Sequence, residues 1–246
     1  MANLVIGGII ATVIFVAIGT ILILPAYLRG AESSQKVPRI LLSFSINSDQ
    51  NMPQWCQDIA VLVNNNHLKA VVFFSGKTAE KYPDCVRAFN DEVDIGSSTY
   101  SFARLSAERD YLDQLEDVRK GKATIDSVAG VNSKSFQAPF GHTDDNIYSL
   151  LSRNNITADF SSDKSYNAYN GTHFILYRLK TFDLGKFSVD AIESQIANKA
   201  FDYVRISTDS SVPVEKVTTL INAVKNEATF VNASEATETD LTSGRR

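Results

Sequence analysis

Apolar and polar positions along the chain follow two alternating rhythms. Short β-prone runs at residues 39–45 (Arg-Ile-Leu-Leu-Ser-Phe-Ser), 70–74 (Ala-Val-Val-Phe-Phe), 93–95, 135–138, 157–160, 174–178, 203–206 and 228–231 predict strands. Between them, apolar residues recur at three- and four-residue steps and predict helices over 53–66, 78–89, 106–129, 145–153, 188–200 and 213–225. In the first helix Trp55, Ile59, Leu62 and Val63 share a face; in the longest, Leu115, Val118, Ile125 and Val128 do so, and Gly130 ends it. The 70–74 run is apolar throughout, as in a parallel strand covered on both sides. Repeated strand–helix alternation predicts a parallel α/β architecture. No glycine-rich phosphate loop follows the first strand, so a closed or nearly closed barrel is expected, with its site at the C-terminal ends of the strands.

The pattern breaks at the N-terminus. Residues 4–28 carry no charged side chain, enough to cross a hydrocarbon core of about 30 Å. No Lys or Arg precedes them, as a cleaved secretory signal would require, so residues 1–29 read as one uncleaved transmembrane helix that places the chain in a bilayer. Residues 30–36 read as a polar linker, 37–231 as the folded domain and 232–246 as a disordered tail. The side of the membrane stays open on charge alone. Arg29, Lys36 and Arg39 favour the cytoplasm by the positive-inside rule, whereas the sequons at Asn155, Asn170 and Asn232 matter only in a glycosylating compartment.

Composition narrows the function. The 246 residues hold 28 acidic and 24 basic side chains, a net charge of −4, which argues against a nucleic-acid partner. With 44% hydrophobic and 21% charged residues the chain is neither disordered nor fibrous. Two cysteines and three histidines leave little for a zinc cluster.

Several strand ends, in order, resemble those of polysaccharide deacetylases of the NodB-homology type. Residues 68–76 (Leu-Lys-Ala-Val-Val-Phe-Phe-Ser-Gly) resemble the family's second strand, and 93–102 (Val-Asp-Ile-Gly-Ser-Ser-Thr-Tyr-Ser-Phe) its histidine motif. Leu105-Ser-Ala-Glu108 opening a long helix, then Phe136-Gln-Ala-Pro-Phe-Gly141, resemble its next helix and its Arg-x-Pro-Tyr motif. The resemblance implies a distorted, incomplete (β/α) barrel, here preceded by the membrane helix. It also implies hydrolysis of an N-acetyl group by a divalent metal on one Asp and two His, with an Asp base and a late His acid.

The residues that carry this chemistry differ. Where the family has Thr-Phe-Asp-Asp-Gly, this chain has Ser43-Phe44-Ser45-Ile46-Asn47, so Ser45 takes the base position and Ile46 that of the metal-binding Asp. Ser98 and Phe102 replace the two metal histidines, though Thr99 is kept. Gln137 replaces the motif Arg, Phe140 the Tyr, Tyr166-Asn167 the Asp-Trp pair, and Ser207 the acid His. The divalent-metal site is therefore expected to be lost, and no catalytic or metal-binding residue is assigned. Ser45, Asn47, Ser98, Thr99, Phe102, Gln137, Phe140, His142 and Ser207 are the candidate lining of a neutral cleft, either open to sugar hydroxyls or plugged by Phe102 and Phe140. His142 with Asp144 and Asp145 reads either as a relocated site or as a surface loop with a helix cap.

Cys56 and Cys85 lie on neighbouring helices of this fold, as a disulfide or as two buried thiols. The family's secreted habit favours the bond and an extracytoplasmic domain. The expectation is a single-pass, membrane-anchored pseudo-deacetylase at the cell surface, partnered by a glycan or an envelope protein. The alternative is a divergent carbohydrate deacetylase that still cleaves N-acetyl bonds.

Overall fold

Period-two burial on the first strand organises the molecule. The computed structural model describes residues 37–46, 52–141, 147–161, 175–176, 180–198 and 203–235. In β1 (Arg39–Ile46) the side chains of Ile40, Leu42, Phe44 and Ile46 enter the largest apolar core, while Leu41 joins a second, smaller one. Successive side chains of a strand point to opposite faces, so Ser43 and Ser45 share Leu41's side. β2 (Ala70–Phe74) repeats the division: Ala70, Val72 and Phe74 enter the large core, Val71 and Phe73 the small one.

The chain continues through α1 (Gln54–Asn65), α2 (Gly76–Lys81), α3 (Pro83–Arg87), β3 (Val93–Ser97), α4 (Tyr111–Ala129), β4 (Ser135–Phe136), α5 (Ile147–Arg153) and β5 (Ala158–Asp159). It ends with β6 (Ile175–Leu176), β7 (Lys180–Asp183), α6 (Val189–Ala197), β8 (Tyr203–Asp209), α7 (Val214–Val224) and β9 (Thr229–Phe230). The strands form one sheet in the order β6-β5-β4-β3-β2-β1-β8-β7, all neighbours parallel, with β9 also paired to β1. β6 and β7 are its two edges, so the curled sheet is a half-barrel rather than a closed one. Leu41, Val71, Phe73, Ala158, Phe160, Val231 and Ala233 fill its interior.

Several elements depart from the expected ones. The single helix expected over 78–89 is two, because Pro83 has no N–H to continue the ladder from α2. The longest helix starts at Tyr111 rather than near Ser106, since Asp110 accepts hydrogen bonds from the Leu112 and Asp113 N–H groups and sets the N-cap there. β7 was not expected; Phe182 is its one large buried side chain, too little apolar pattern to show in the sequence.

Residues 232–235, read as the start of a disordered tail, pack on the domain. Ala233 is buried in the interior core, the Ser234 N–H donates to Asp94 Oδ2 at 2.6 Å, and Lys69 pairs with Glu235. Burial pushes the Asp94 carboxyl up, with the Ser234 N–H opposing it. The reading missed this because a small residue followed by polar ones carries no periodic signal. The proposed membrane span, the linker and the rest of the tail lie outside the described residues. Among the described residues no helix is long and apolar enough to cross a membrane.

Cys56 on α1 and Cys85 on α3 form a disulfide with a Cα–Cα distance of 5.9 Å, and both are buried. The bond closes a loop with a sequence separation of 29, for which unfolded-chain entropy gives about 3.6 kcal/mol. Mild reduction, or Cys56→Ala with Cys85→Ala, is expected to lower the unfolding free energy in urea by about that amount, and thiol counting without reductant finds no free cysteine. Two titratable thiols in the native chain would contradict the bond.

Candidate functional site

The C-terminal ends of β1, β3, β4 and β8 bring most of the described candidates to one rim. Ser45, half-buried near the end of β1, donates from its Oγ to Gln137 Oε1 at 2.8 Å. Gln137 follows β4, and its N–H is tied to the Ser97 carbonyl on β3 at 3.0 Å. Ser45 and Gln137 are the residues that the resemblance sets at the base and motif-arginine positions, and between them stands a neutral hydroxyl–amide bond.

Ile46 goes elsewhere. Strand alternation turns it to the helix side, where it is fully buried in the large core that also holds Phe44 and Trp55. Ser98 and Thr99 are almost fully buried, and neither side-chain oxygen has a hydrogen-bond partner among the described residues. Their backbone carries the loop instead: the Ser98 N–H donates to Phe74 O at 2.8 Å, and the Thr99 carbonyl accepts from the Gly76 N–H at 3.2 Å. Ser207 is half-buried on β8, level with Ser43 in the parallel register.

Phe102 and Phe140 meet over this rim. Their ring centroids are 5.2 Å apart with planes tilted by 49°. Both backbones are left-handed, with φ of 58° at Phe102 and 61° at Phe140. Such values are rare for bulky side chains and cost on the order of 1–3 kcal/mol each. The surroundings hold both. Asp117 on α4 accepts from the Ser101 N–H at 2.8 Å and from its hydroxyl at 2.7 Å, fixing the loop before Phe102. α4 reaches that loop because residue 121 is glycine: a Cβ there would stand 2.5 Å from the Ser98 carbonyl. Gly141 packs as tightly beyond Phe140, at a φ of 66°, where an added Cβ would lie 2.5 Å from the Ser161 carbonyl. Phe140 is 70% exposed all the same.

Beneath the rim lie two buried ionisable groups, Arg205 and Asp159, that the sequence reading did not single out. Arg205 on β8 is 4% exposed. Its Nε donates to Ser43 Oγ at 2.8 Å and its Nη1 to the Phe160 carbonyl, while Nη2 has no partner among the described residues. The guanidinium lies 6.0 Å from the Phe73 centroid and 5.7 Å from that of Phe160. Ser43 is level with Ser207, so Arg205 leans along the strand toward the rim to reach it. Burial pulls its pKa down to about 10, against the charge of Asp159. Asp159 is buried too, and burial pushes its carboxyl up to about 6 against hydrogen bonds from Ser161 and the Arg205 charge. Ser161 in turn accepts from the Ala138 N–H at 2.7 Å, which anchors the Pro139–Gly141 turn to this pair. The available signal was a lone charge in mid-strand, Arg205 between Val204 and Ile206.

The remaining candidates divide. Asn47, His142 and Asn170 lie outside the described residues, as do Asp144, Asp145 and Tyr166-Asn167. Asn155 is exposed. The Asn232 side chain is engaged within the fold, donating to Glu92 O at 3.4 Å and accepting from the Glu235 N–H at 3.0 Å. Among the described residues no group of three or more His, Cys, Asp and Glu side chains converges.

The sequence model of the family described as polysaccharide deacetylase matches residues 33–158. A wild-type CE4 family pseudoenzyme from Bacillus anthracis aligns at a TM-score of 0.59 and 14% identity, over 80% of this chain and 65% of that one. A mutant of it, described as having restored enzymatic activity, aligns at 0.61 and 13%, over 81% and 67%. This chain therefore spans about two thirds of the length of those two. A family 4 carbohydrate esterase from Streptomyces lividans, in complex with acetate, gives 0.59 and 16% over 79% of this chain and 91% of that one. The peptidoglycan deacetylase PdaC from Bacillus subtilis gives 0.62 and 15% over 85% and 96%. At these identities the likeness is one of fold. No curated protein sequence matches the chain.

Proposed function

The chain belongs to the polysaccharide deacetylase family, and from that premise we propose that it is a non-catalytic member, one that holds a glycan at the barrel mouth from the cell surface. The observation that carries the reading is the Ser45–Gln137 hydrogen bond, with Ile46 withdrawn into the core beside it. A divalent ion in this family polarises the acyl carbonyl and acidifies the attacking water. The residues at its positions do not fit it: Ile46 and Phe102 have no donor atom, and Ser98 is an enclosed hydroxyl. Ser45 cannot act as a carboxylate base near neutral pH. The pseudoenzyme among the structural neighbours supports the reading, since this fold persists there too without activity.

What remains is suited to holding rather than cutting: a neutral amide and hydroxyl beside an exposed aromatic surface. The apolar span at 4–28 would anchor the domain in the bilayer as a single-pass protein. The disulfide supports an extracytoplasmic placement, where such bonds persist. A membrane or envelope protein is the other partner compatible with that place.

The test uses the full chain in detergent with zinc or cobalt added, measuring bound metal and acetate released from N-acetylated oligosaccharides. No stoichiometric metal and no release above the protein-free rate are expected. Metal-dependent turnover would overturn the reading in favour of a divergent deacetylase.

A further inference from the structure

The strained aromatic pair at the rim has a chemistry of its own. Phe140 exposes 70% of its surface, and its ring is braced by Phe102 at 5.2 Å. Two left-handed phenylalanines held by Asp117 and by the packing of Gly141 against Ser161 are a rigid shelf rather than a fraying loop. Arg104 lies with its guanidinium 5.9 Å from the Phe140 centroid. It is exposed and has no carboxylate partner among the described residues. Gln137 spends its carbonyl oxygen on Ser45, and its amide nitrogen has no acceptor among the described residues.

An apolar ring face, one guanidinium with no carboxylate partner among the described residues and one amide donor form a specific combination. The ring offers dispersion contact to the C–H face of a pyranose, the amide a hydrogen bond to a hydroxyl or acyl oxygen, and the guanidinium a charge-assisted bond to an anionic substituent. We infer that Phe102, Phe140 and Arg104 form a binding subsite for an acidic saccharide, a sugar ring that carries a carboxylate. The inference rests on the glycan-holding reading above and narrows its ligand class. Charge complementarity decides the class: a neutral sugar would leave Arg104 without its bond. The chain as a whole is acidic at −4, so the cation on the shelf is a local feature rather than a general basic surface.

Titration calorimetry on the full chain in detergent tests this with hyaluronan tetrasaccharide and the neutral chitotetraose. The wild type is expected to bind the carboxylated probe about fivefold more tightly. Phe140→Ala should weaken both probes about three- to tenfold, while Phe140→Trp retains them. Arg104→Ala should weaken only the carboxylated probe, by about two- to fivefold. Both sites are exposed, so the fold survives these changes. Binding of both probes with equal affinity, or binding unchanged by Phe140→Ala, overturns the subsite and leaves the glycan-holding reading standing. Binding of neither probe overturns both.

Discussion

An Ile46→Asp chain is expected to lose about 5 kcal/mol of stability, most of the margin of a domain this size. Ile46 is fully buried in the large core. Removing its aliphatic atoms alone costs about 2–5 kcal/mol, and a carboxyl left there without a donor adds to that. The new carboxyl would be driven toward its neutral form, its folded pKa above the unfolded one. Its destabilisation is therefore smaller below the unfolded pKa and grows as pH rises through the folded one. Urea unfolding at pH 4.5 and pH 8 measures both the size and the sign. A variant with a wild-type midpoint that binds zinc would mean that residue 46 faces the rim, and the proposed loss of the ion site would fail with it. The consequence reaches beyond stability. For a side chain at position 46 to reach the rim, the end of β1 would first have to turn out of the core.

How far the site could be read from the sequence depends on the length scale of the signal. β1 and β2 were legible because alternation and continuous apolarity are local, and each residue declares its face by parity. The differences expected at Ser45, Ile46, Ser98 and Phe102 came from the order of motifs that resemble the family's, which a sequence carries on its face. What those residues do was not legible. Ser98 and Thr99 were candidate lining of a cleft either open or plugged; both are enclosed, because α4 closes on their loop through Gly121. The Ser45–Gln137 bond joins residues 92 positions apart, and the Phe102–Phe140 contact depends on two backbone conformations that no local preference predicts. Arg205 and Asp159 were hidden for the opposite reason. Each looks like an ordinary surface charge until the curl of the sheet places both under the rim.

That buried pair sets the second large effect. Arg205→Met is expected to cost about 3–5 kcal/mol at pH 8, since it removes two buried hydrogen bonds, to Ser43 Oγ and the Phe160 carbonyl, together with the positive charge near the buried Asp159 carboxyl. Methionine keeps the packing between Phe73 and Phe160 but loses the bonds to Ser43 and the Phe160 carbonyl. Asp159 gives the loss a pH signature. Its folded pKa, about 6, lies above the ordinary carboxyl value of 3.8, so the native state holds the proton more tightly than the unfolded chain. Stability from this group is fully present below the unfolded pKa and is lost as pH rises through 6, by about 3 kcal/mol in total. The wild type should accordingly gain stability from pH 7 toward pH 4, and Asp159→Asn should flatten that slope. Without the Arg205 charge the Asp159 carboxyl rises further, so Arg205→Met should cost roughly half as much at pH 5 as at pH 8. The double variant Asp159→Asn with Arg205→Met should recover part of the loss at pH 8, because no ionised carboxylate is left in the interior. Equal costs at both pH values, with no recovery in the double variant, would mean that Arg205 acts through its hydrogen bonds and packing alone, with no electrostatic tie to Asp159.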